Sequence, residues 1–295
     1  MTRTDPALPS IPLSRWHRGR PFLLTGFVAC LVAAFPAAAQ TYLGTVQPFA
    51  VLGASAVTCV VSSAVTGDLG ISPNNASSIT GYPVPPCTVA GTIHAADGVA
   101  LTAQNDLATA YNTLASQACT ADLTGQDLGT VGVLTPGVYC FTSSAPLTGA
   151  LTLDAQGNPN AAFIFKIGST LTTATGSSVS VINGGSACGV SWQVGSSATL
   201  GTTTNLLGNI VALTSITGNT GANVTGRALA RNAAITLSGN VNNACIAYTG
   251  SGLPGGAVIP PGTAAQTPTL SEWAMVMLAA LLLFAGFAVM RRRKR

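Results

Sequence analysis

The fold is decided by a repeat in which residues 199–213 read TLGTTTNLLGNIVAL and residues 217–231 read TGNTGANVTGRALAR. Thr, Asn, an apolar residue and Gly recur between the two segments at a constant offset of 18 residues. The pattern extends backwards to residues 172–179, with an insertion around residues 183–189, and forwards to residues 235–237. A period of 18 is too short for a pair of helices and suits a coil of three short strands with tight turns. The sequence therefore predicts a parallel β-solenoid.

Stacked coils place equivalent residues in columns, one β-sheet spacing of ~4.8 Å apart. Thr199 and Thr236 each have apolar neighbours, so strand alternation points their side chains outward. The repeat yields three candidate surface columns, which are Thr172, Thr199, Thr217, Thr236; Thr175, Thr202, Thr220; and Ser178, Asn205, Asn223. Because Thr is also a common surface residue of ordinary strands, the columns alone do not decide between a binding face and a plain sheet surface.

One segment before the repeats has helical periodicity. From Ala95 to Gln117 the apolar residues are spaced by three and four, which puts them on one helical face. Those residues are Ala96, Ala100, Ala103, Leu107, Ala110 and Leu114. A face made mostly of alanine predicts a helix that packs closely against a flat surface, and Asp97 favours its first turn.

Charge is concentrated at the chain ends. The 295 residues include 12 basic and 8 acidic side chains, and the overall charge is +4. Residues 40–266 contain only Lys166, Arg227 and Arg231 against six aspartates, a formal charge of −3. Nucleic acid is therefore excluded as a main partner, since it would need clustered Lys and Arg. The abundance of apolar residues also argues against disorder.

The N-terminus has the three parts of a secretory signal peptide. A basic region at residues 15–20 precedes an apolar run at residues 22–35, and Ala37-Ala38-Ala39 forms a cleavage site. We expect residues 1–39 to be removed by cleavage after Ala39. The domain that follows is expected to cover residues 40–250, with a Gly/Pro-rich linker at residues 251–266.

The C-terminus has a motif, an apolar span and a basic cluster. Residues 274–290 are apolar, just long enough to cross a bilayer, and five basic residues at 291–295 would stay cytoplasmic. A stop-transfer anchor is one interpretation. The other follows from the preceding motif, which resembles the IPTL-CTERM sorting signal and consists of Thr267, Pro268, Thr269, Leu270, Ser271, Glu272 and Trp273. The resemblance implies, for residues 267–295, a Gram-negative envelope, an exosortase-like processing protease and transient anchoring in the inner membrane.

Cysteine usage agrees with export. Without Cys30, which lies in the signal peptide, six cysteines remain, an even number that suits an oxidising compartment. Sequential pairing predicts the disulfides Cys59–Cys87, Cys119–Cys140 and Cys188–Cys245. A zinc site is not expected, because no C-x-x-C occurs and His94 is the sole histidine after residue 39.

Several motifs in order make the body similar to the ice-binding-like domain family over roughly residues 41–248. They occupy residues 49–53, 66–73, 79–81, 91–97, 122–129, 134–139, 163–165, 194–201 and 226–229. The resemblance implies an all-β fold, namely a discontinuous right-handed parallel β-solenoid of triangular section with one long α-helix packed alongside. It also implies a secreted or cell-surface ice-binding (antifreeze) protein without a cofactor, whose partner is the surface of an ice crystal.

The family's ice-contacting pattern, T-A/G-x-T/N, falls within the candidate columns. Residues 217–220 (TGNT) and 220–223 (TGAN) fit it. A column of threonines offers a methyl and a hydroxyl group at fixed intervals on an uncharged surface, which can order water into a layer that merges with ice. All ten column residues are therefore candidates for ice contact.

Two other function classes remain for comparison. Enzymes built on parallel β-solenoids need paired carboxylates or a base beside an acid, whereas Asp122, Asp127 and Asp154 lie in contexts typical of turns. We therefore expect no catalytic activity. A structural or adhesive envelope solenoid without ice activity is the alternative to an ice-binding protein, because both need an uncharged, regular, exported face.

Overall fold

The structure, a computed structural model, describes residues 42–245. The predicted signal peptide, linker, sorting motif and apolar span all lie outside the described residues. Within residues 42–245, no helix has the length and hydropathy needed to cross a membrane. These 204 residues lie within the domain expected at residues 40–250.

A seven-stranded sheet, which we call the threonine sheet, forms one side of the molecule. Its strands, numbered along the chain and given in spatial order, are β11 (Ala145–Leu147), β14 (Leu171–Thr173), β17 (Ala198–Leu200), β19 (Ile216–Gly218), β21 (Ile235–Ser238), β2 (Val57–Val61) and β5 (Ile79–Thr80). Every neighbouring pair in this sheet is parallel.

The second sheet has 15 strands, whose pairs form two series, described here as its two sides, that share two long strands. One side, called the second face, contains β9 (Val133–Leu134), β12 (Ala150–Asp154), β15 (Ser178–Ile182), the first halves of β18 (Asn205–Ala212) and β20 (Asn223–Ala230), β22 (Val241–Asn243), β3 (Ala64–Thr66) and β6 (Thr88–Val89). The other side, called the helix-covered face, contains β8 (Ala121–Asp122), β10 (Gly137–Phe141), β13 (Phe163–Ile167), β16 (Val190–Val194), the second halves of β18 and β20, β1 (Phe49–Gly53), β4 (Asp68–Ile71) and β7 (Ile93–Ala95). All of these pairs are parallel, which confirms the β-solenoid.

The coils do not follow the order of the chain. Strand β1 pairs with β20, β2 pairs with β21, and β3 pairs with β22. The strands that precede the helix therefore stack on the last coil of the repeat region, which confirms the predicted discontinuity. The right-handed sense and the triangular section stay predictions.

Equivalent residues also stack inside the coils. Tyr139, Phe165 and Trp192 are register partners on three successive strands. The ring centroids of Phe165 and Trp192 are 4.1 Å apart, and those of Tyr139 and Phe165 are 5.5 Å apart. The Trp192 indole N–H donates to the Leu207 carbonyl at 2.9 Å, which satisfies the polar group of a fully buried side chain.

Helix α1 (Gly98–Ala115) is shorter at both ends than the predicted segment 95–117. It begins after Asp97 because that carboxylate caps it, accepting from the Ala100 N–H at 2.8 Å. Ala96 lies outside the helix, exposed, with φ at 53°, so its assignment to the apolar stripe is wrong. The other five stripe residues are buried, as predicted.

The helix packs against outward-facing apolar side chains of the helix-covered face. Ala103, Leu107 and Ala110 share one buried cluster with Ile164 and Val211 of that face. Small alanine side chains let the helix axis lie close to the sheet. The expectation of a helix on a flat apolar surface is thus confirmed.

Two of the three predicted disulfides are present. Cys59–Cys87 joins β2 to the loop after β5, and Cys119–Cys140 joins the segment after α1 to β10. The loop that contains Cys87 is rich in proline. Its residues Tyr82 and Cys87 are buried in the core, so the loop covers the end of the coils.

The third predicted disulfide is not formed, and Arg227 is hydrogen-bonded to Cys245 and, through Asn209, to Cys188. Its guanidinium donates to the Cys245 carbonyl at 2.8 Å and to Asn209 Oδ1 at 2.9 Å, and the Asn209 amide donates to the Cys188 carbonyl at 3.3 Å. Cys188 and Cys245 carry free thiols. Burial raises the pKa of the Cys188 thiol, although the nearby Arg227 opposes the rise.

Candidate functional site

The threonine sheet carries a column of six threonines in unbroken register. Each is the cross-strand partner of the next, and Pro146 continues the column at one end. In spatial order the column is Pro146, Thr172, Thr199, Thr217, Thr236, Thr58 and Thr80. We call it the threonine column.

Packing beneath the sheet fixes the direction of these side chains. In β19 and β21 the column residues alternate with buried Ile216, Ile235 and Leu237, which are at most 2% exposed. Thr217 and its register partners therefore point outward and are half-buried or exposed. A β-branched side chain on a strand has a restricted χ1, so each methyl and hydroxyl is held in place.

A parallel column of small residues borders the threonine column, two positions earlier along the chain and immediately before each strand. Backbone hydrogen bonds align its members, which are Ser144, Thr170, Ser197, Ser215, Ala234 and Ala56. Thr170 Oγ1 donates to Ser144 Oγ at 2.8 Å, and Ser215 Oγ donates to Ser197 Oγ at 2.9 Å. Strand geometry puts the two columns about 6.7 Å apart and successive coils about 4.8 Å apart. The surface is thus a two-dimensional lattice of short, uncharged side chains.

The N-terminal strands contribute two column residues that the repeat analysis missed. Thr58 pairs with Thr236, and the Thr80 hydroxyl donates to the Thr58 hydroxyl at 3.0 Å. The signal was present, since Ile79-Thr80-Gly81 repeats Ile216-Thr217-Gly218 exactly. No constant offset joins them, however, because these strands stack out of chain order.

The ten predicted candidates lie on two surfaces and on the corner between them. Thr172, Thr199, Thr217 and Thr236 are in the threonine column. Thr175, Thr202 and Thr220 are exposed in the turns that follow the threonine sheet. Ser178, Asn205 and Asn223 begin strands of the second face, where they are register partners. The ten candidates are therefore divided among the threonine sheet, the second face and the turns that join them.

Positive φ angles form the corner in coil after coil. Gly149, Gly176, Thr203, Gly221 and Gly239 have φ between 57° and 88°. This left-handed conformation lets the chain turn tightly from one sheet into the next. The turns therefore separate the threonine column from the column of Ser178, Asn205 and Asn223 on the second face.

The aspartates serve as hydrogen-bond acceptors for local backbone and side chains. Asp122 accepts from the Thr124 N–H, and Asp154 accepts from the Gln156 N–H. Asp127 accepts from the Gly129 N–H at 2.8 Å and contacts the Thr148 hydroxyl. Hydrogen bonds from Thr124 hold the pKa of Asp122 below its usual range, and the Gln156 N–H does the same for Asp154. This is the reverse of the raised pKa that a general acid needs, and it confirms the turn role of these carboxylates.

His94 is likewise engaged by neighbouring side chains. Its Nδ1 lies 2.8 Å from Asp97 Oδ2, and its Nε2 lies 4.0 Å from Asp68 Oδ2. Among residues 42–245, no three His, Cys, Asp or Glu side chains form a group that could hold a metal ion.

Comparisons with known proteins agree with this geometry. Residues 51–243 match the family model described as Ice-binding-like, and residues 265–294 match the IPTL-CTERM motif. An ice-binding protein of Nostoc sp. is 57% identical over 211 residues, which cover 71% of this chain and 76% of that protein. Ice-binding protein 1 of Shewanella frigidimarina is 35% identical, over 67% of this chain and 25% of its own length.

Solved structures show the same fold. An ice-binding protein from an Antarctic biological consortium has a TM-score of 0.64 and 45% identity, covering 68% of this chain and 89% of its own. One from the Antarctic ascomycete Antarctomyces psychrotrophicus has a TM-score of 0.65 and 34% identity, covering 68% and 96%. With a family match over most of the solenoid and relatives of this similarity, the chain belongs to the ice-binding-like family.

Proposed function

We propose that this chain is an exported ice-binding protein that adsorbs to ice through the outward surface of the threonine sheet. The observation that carries the proposal is the column of six threonines in register. Its similarity to ice-binding proteins from bacteria and fungi supports the proposal.

The mechanism follows from the surface chemistry. Threonine hydroxyls at a fixed spacing bind water at regular positions, while the methyl groups between them disfavour disordered hydration. No Lys, Arg, Asp, Glu or His occurs in the described strands of the threonine sheet, so no charged group holds its own hydration shell there. The ordered water layer can join the lattice of a growing crystal, and the bound protein then blocks further growth.

The direct test is ice activity of the purified protein. We expect thermal hysteresis and inhibition of recrystallisation, both rising with protein concentration. A folded protein that shows neither at high concentration would instead support the structural or adhesive alternative. Family membership predicts no catalytic role, and the engaged aspartates agree with that.

We further propose that the protein is displayed on, or released from, a bacterial envelope. The match to the IPTL-CTERM motif supports recognition by an exosortase-like protease after transient anchoring in the inner membrane. Mass spectrometry of envelope and medium fractions should find Gln40 as the N-terminus and a C-terminus near residues 267–273. Recovery of peptides containing Arg291 from the mature surface form would support a permanent anchor.

A further inference from the structure

The second face also presents short uncharged side chains in register. Thr152 pairs with Ser180, Leu207 with Thr225, and Asn243 with both Thr225 and Thr66. Ser180, Thr225, Asn243 and Thr66 are exposed, whereas Leu207 is half-buried. Like the threonine sheet, this surface is therefore a lattice with a spacing of about 4.8 Å between coils.

No charged residue occurs on the second face from β15 through β6. The nearest strand with a charge is β12, which ends at Asp154. That carboxylate accepts from the Gln156 N–H at 2.8 Å and from the Asn183 amide at 2.7 Å. Apart from this border, the surface lacks the strongly hydrated groups that would disrupt an ordered water layer.

Side-chain hydrogen bonds order part of this surface. Asn223 Nδ2 donates to Asn205 Oδ1 at 3.1 Å, so the two amides form a short ladder along the column. Beneath them, Leu206 and Val224 are buried and anchor the strands in the core. The polar groups are thus presented at fixed positions, as on the threonine sheet.

The second face is joined to the threonine sheet by tight turns with positive φ, but it belongs to a different sheet. The exposed residues Thr175, Thr202 and Thr220 occupy the corner that joins the two surfaces. A rigid solenoid cannot lay both surfaces on one flat crystal plane at the same time. Each surface must therefore meet ice in its own orientation.

We propose that the second face is an additional ice-contacting surface, which adsorbs to crystal planes different from those bound by the threonine sheet. The second face is proposed to bind ice because it is uncharged, regular, exposed and continuous with the proposed ice-binding sheet. Its mixed column, with Leu207 and Asn243 among hydroxyl residues, orders water less uniformly than six threonines do. We therefore expect the second face to bind fewer ice-crystal planes than the threonine sheet does. This inference rests on the proposed function.

The test uses a fluorescent fusion of the full chain and a single-crystal ice hemisphere, on which bound protein marks the planes. One bulky substitution blocks each surface, Thr217→Tyr on the threonine sheet and Thr225→Tyr on the second face. Both positions are outward, so each change should alter stability by only about 0.5 kcal/mol. Asn112→Tyr, on an exposed helix position, is the matched control.

We expect Thr217→Tyr to lose most marked planes but keep a subset, and Thr225→Tyr to lose only that subset. The double variant should mark no plane, and Asn112→Tyr should match the unmodified chain. If Thr217→Tyr alone removes all marking and Thr225→Tyr changes nothing, the second-face proposal is wrong while the proposed function stands. If the unmodified chain marks no plane, the proposed function itself fails.

Discussion

The threonine sheet and the helix-covered face differ in what their outward residues do. Both are parallel sheets over the same buried core, and both place the outward residues of successive coils in register. On the helix-covered face the outward residues include large apolar ones, such as Leu52, Ile164 and Val211, and α1 buries them. On the threonine sheet they are threonines, and no described element covers them. The backbone supplies a regular lattice, and side-chain chemistry decides whether protein or water lies on it.

The largest effect on stability is expected on the helix-covered face. Leu107 is fully buried between α1 and that face. Replacing it with Ala leaves a cavity and should lower the free energy of unfolding by about 2–5 kcal/mol. Chemical denaturation measures this loss, whereas ice activity of the folded fraction should be unchanged. Lost ice activity without lost stability would mean that the helix side takes part in ice contact.

The next prediction concerns the end of the threonine column. Thr80 lies on the last strand of the threonine sheet, so a bulky side chain there should lift only one end of the surface from ice. Thr80→Tyr is expected to give thermal hysteresis between the values of the unmodified protein and Thr217→Tyr. Unchanged hysteresis would show that the N-terminal strands do not belong to the binding surface.

Sequence periodicity predicted much of this comparison but not all of it. The offset of 18 residues placed Thr199 and Thr217 in register, and the alanine-rich stripe predicted a helix against a flat sheet. Thr58 was not predicted as a column residue, because its partner Thr236 lies 178 residues away and belongs to a coil that is completed out of chain order. The sequence also did not predict that Asn205 lies on a different sheet from the threonine column, because a repeat period does not show where the chain turns within each coil.

A smaller effect is expected when only the hydroxyl is lost. Thr217→Val keeps the β-branched shape and replaces only the hydroxyl by a methyl group, so the surface stays flat and all other hydroxyls of the column remain. Thermal hysteresis should keep much of its original value, and the free energy of unfolding should change by no more than about 0.5 kcal/mol. A loss as large as that of Thr217→Tyr would mean that individual hydrogen bonds, rather than the fit of the surface, dominate adsorption.

The smallest effect is expected from pH. The threonine sheet has no titratable Asp, Glu, Lys, Arg or His in its described strands, so ice activity should be constant between about pH 5 and pH 9. The pKa values of Asp97, Asp122 and Asp154 are lowered in the folded protein. The stability that they contribute is thus present above the ordinary aspartate pKa of about 3.9 and is lost as pH falls through the lowered values. Recrystallisation assays between about pH 5 and pH 9 check the first statement, and unfolding followed from about pH 5 down to about pH 2 checks the second.

The most direct test of the central claim compares the same bulky substitution on two surfaces. Thermal hysteresis should be nearly abolished in Thr217→Tyr, because a tyrosine in the middle of the threonine column holds the whole sheet away from the crystal. Protein that still binds some crystal planes through the second face would not prevent ice from growing at the planes that it leaves uncovered. In Asn112→Tyr, on the exposed side of α1, hysteresis should equal that of the unmodified protein. Equal loss in both variants, or full activity in a folded Thr217→Tyr protein, would contradict the assignment of the threonine sheet as the ice-binding surface.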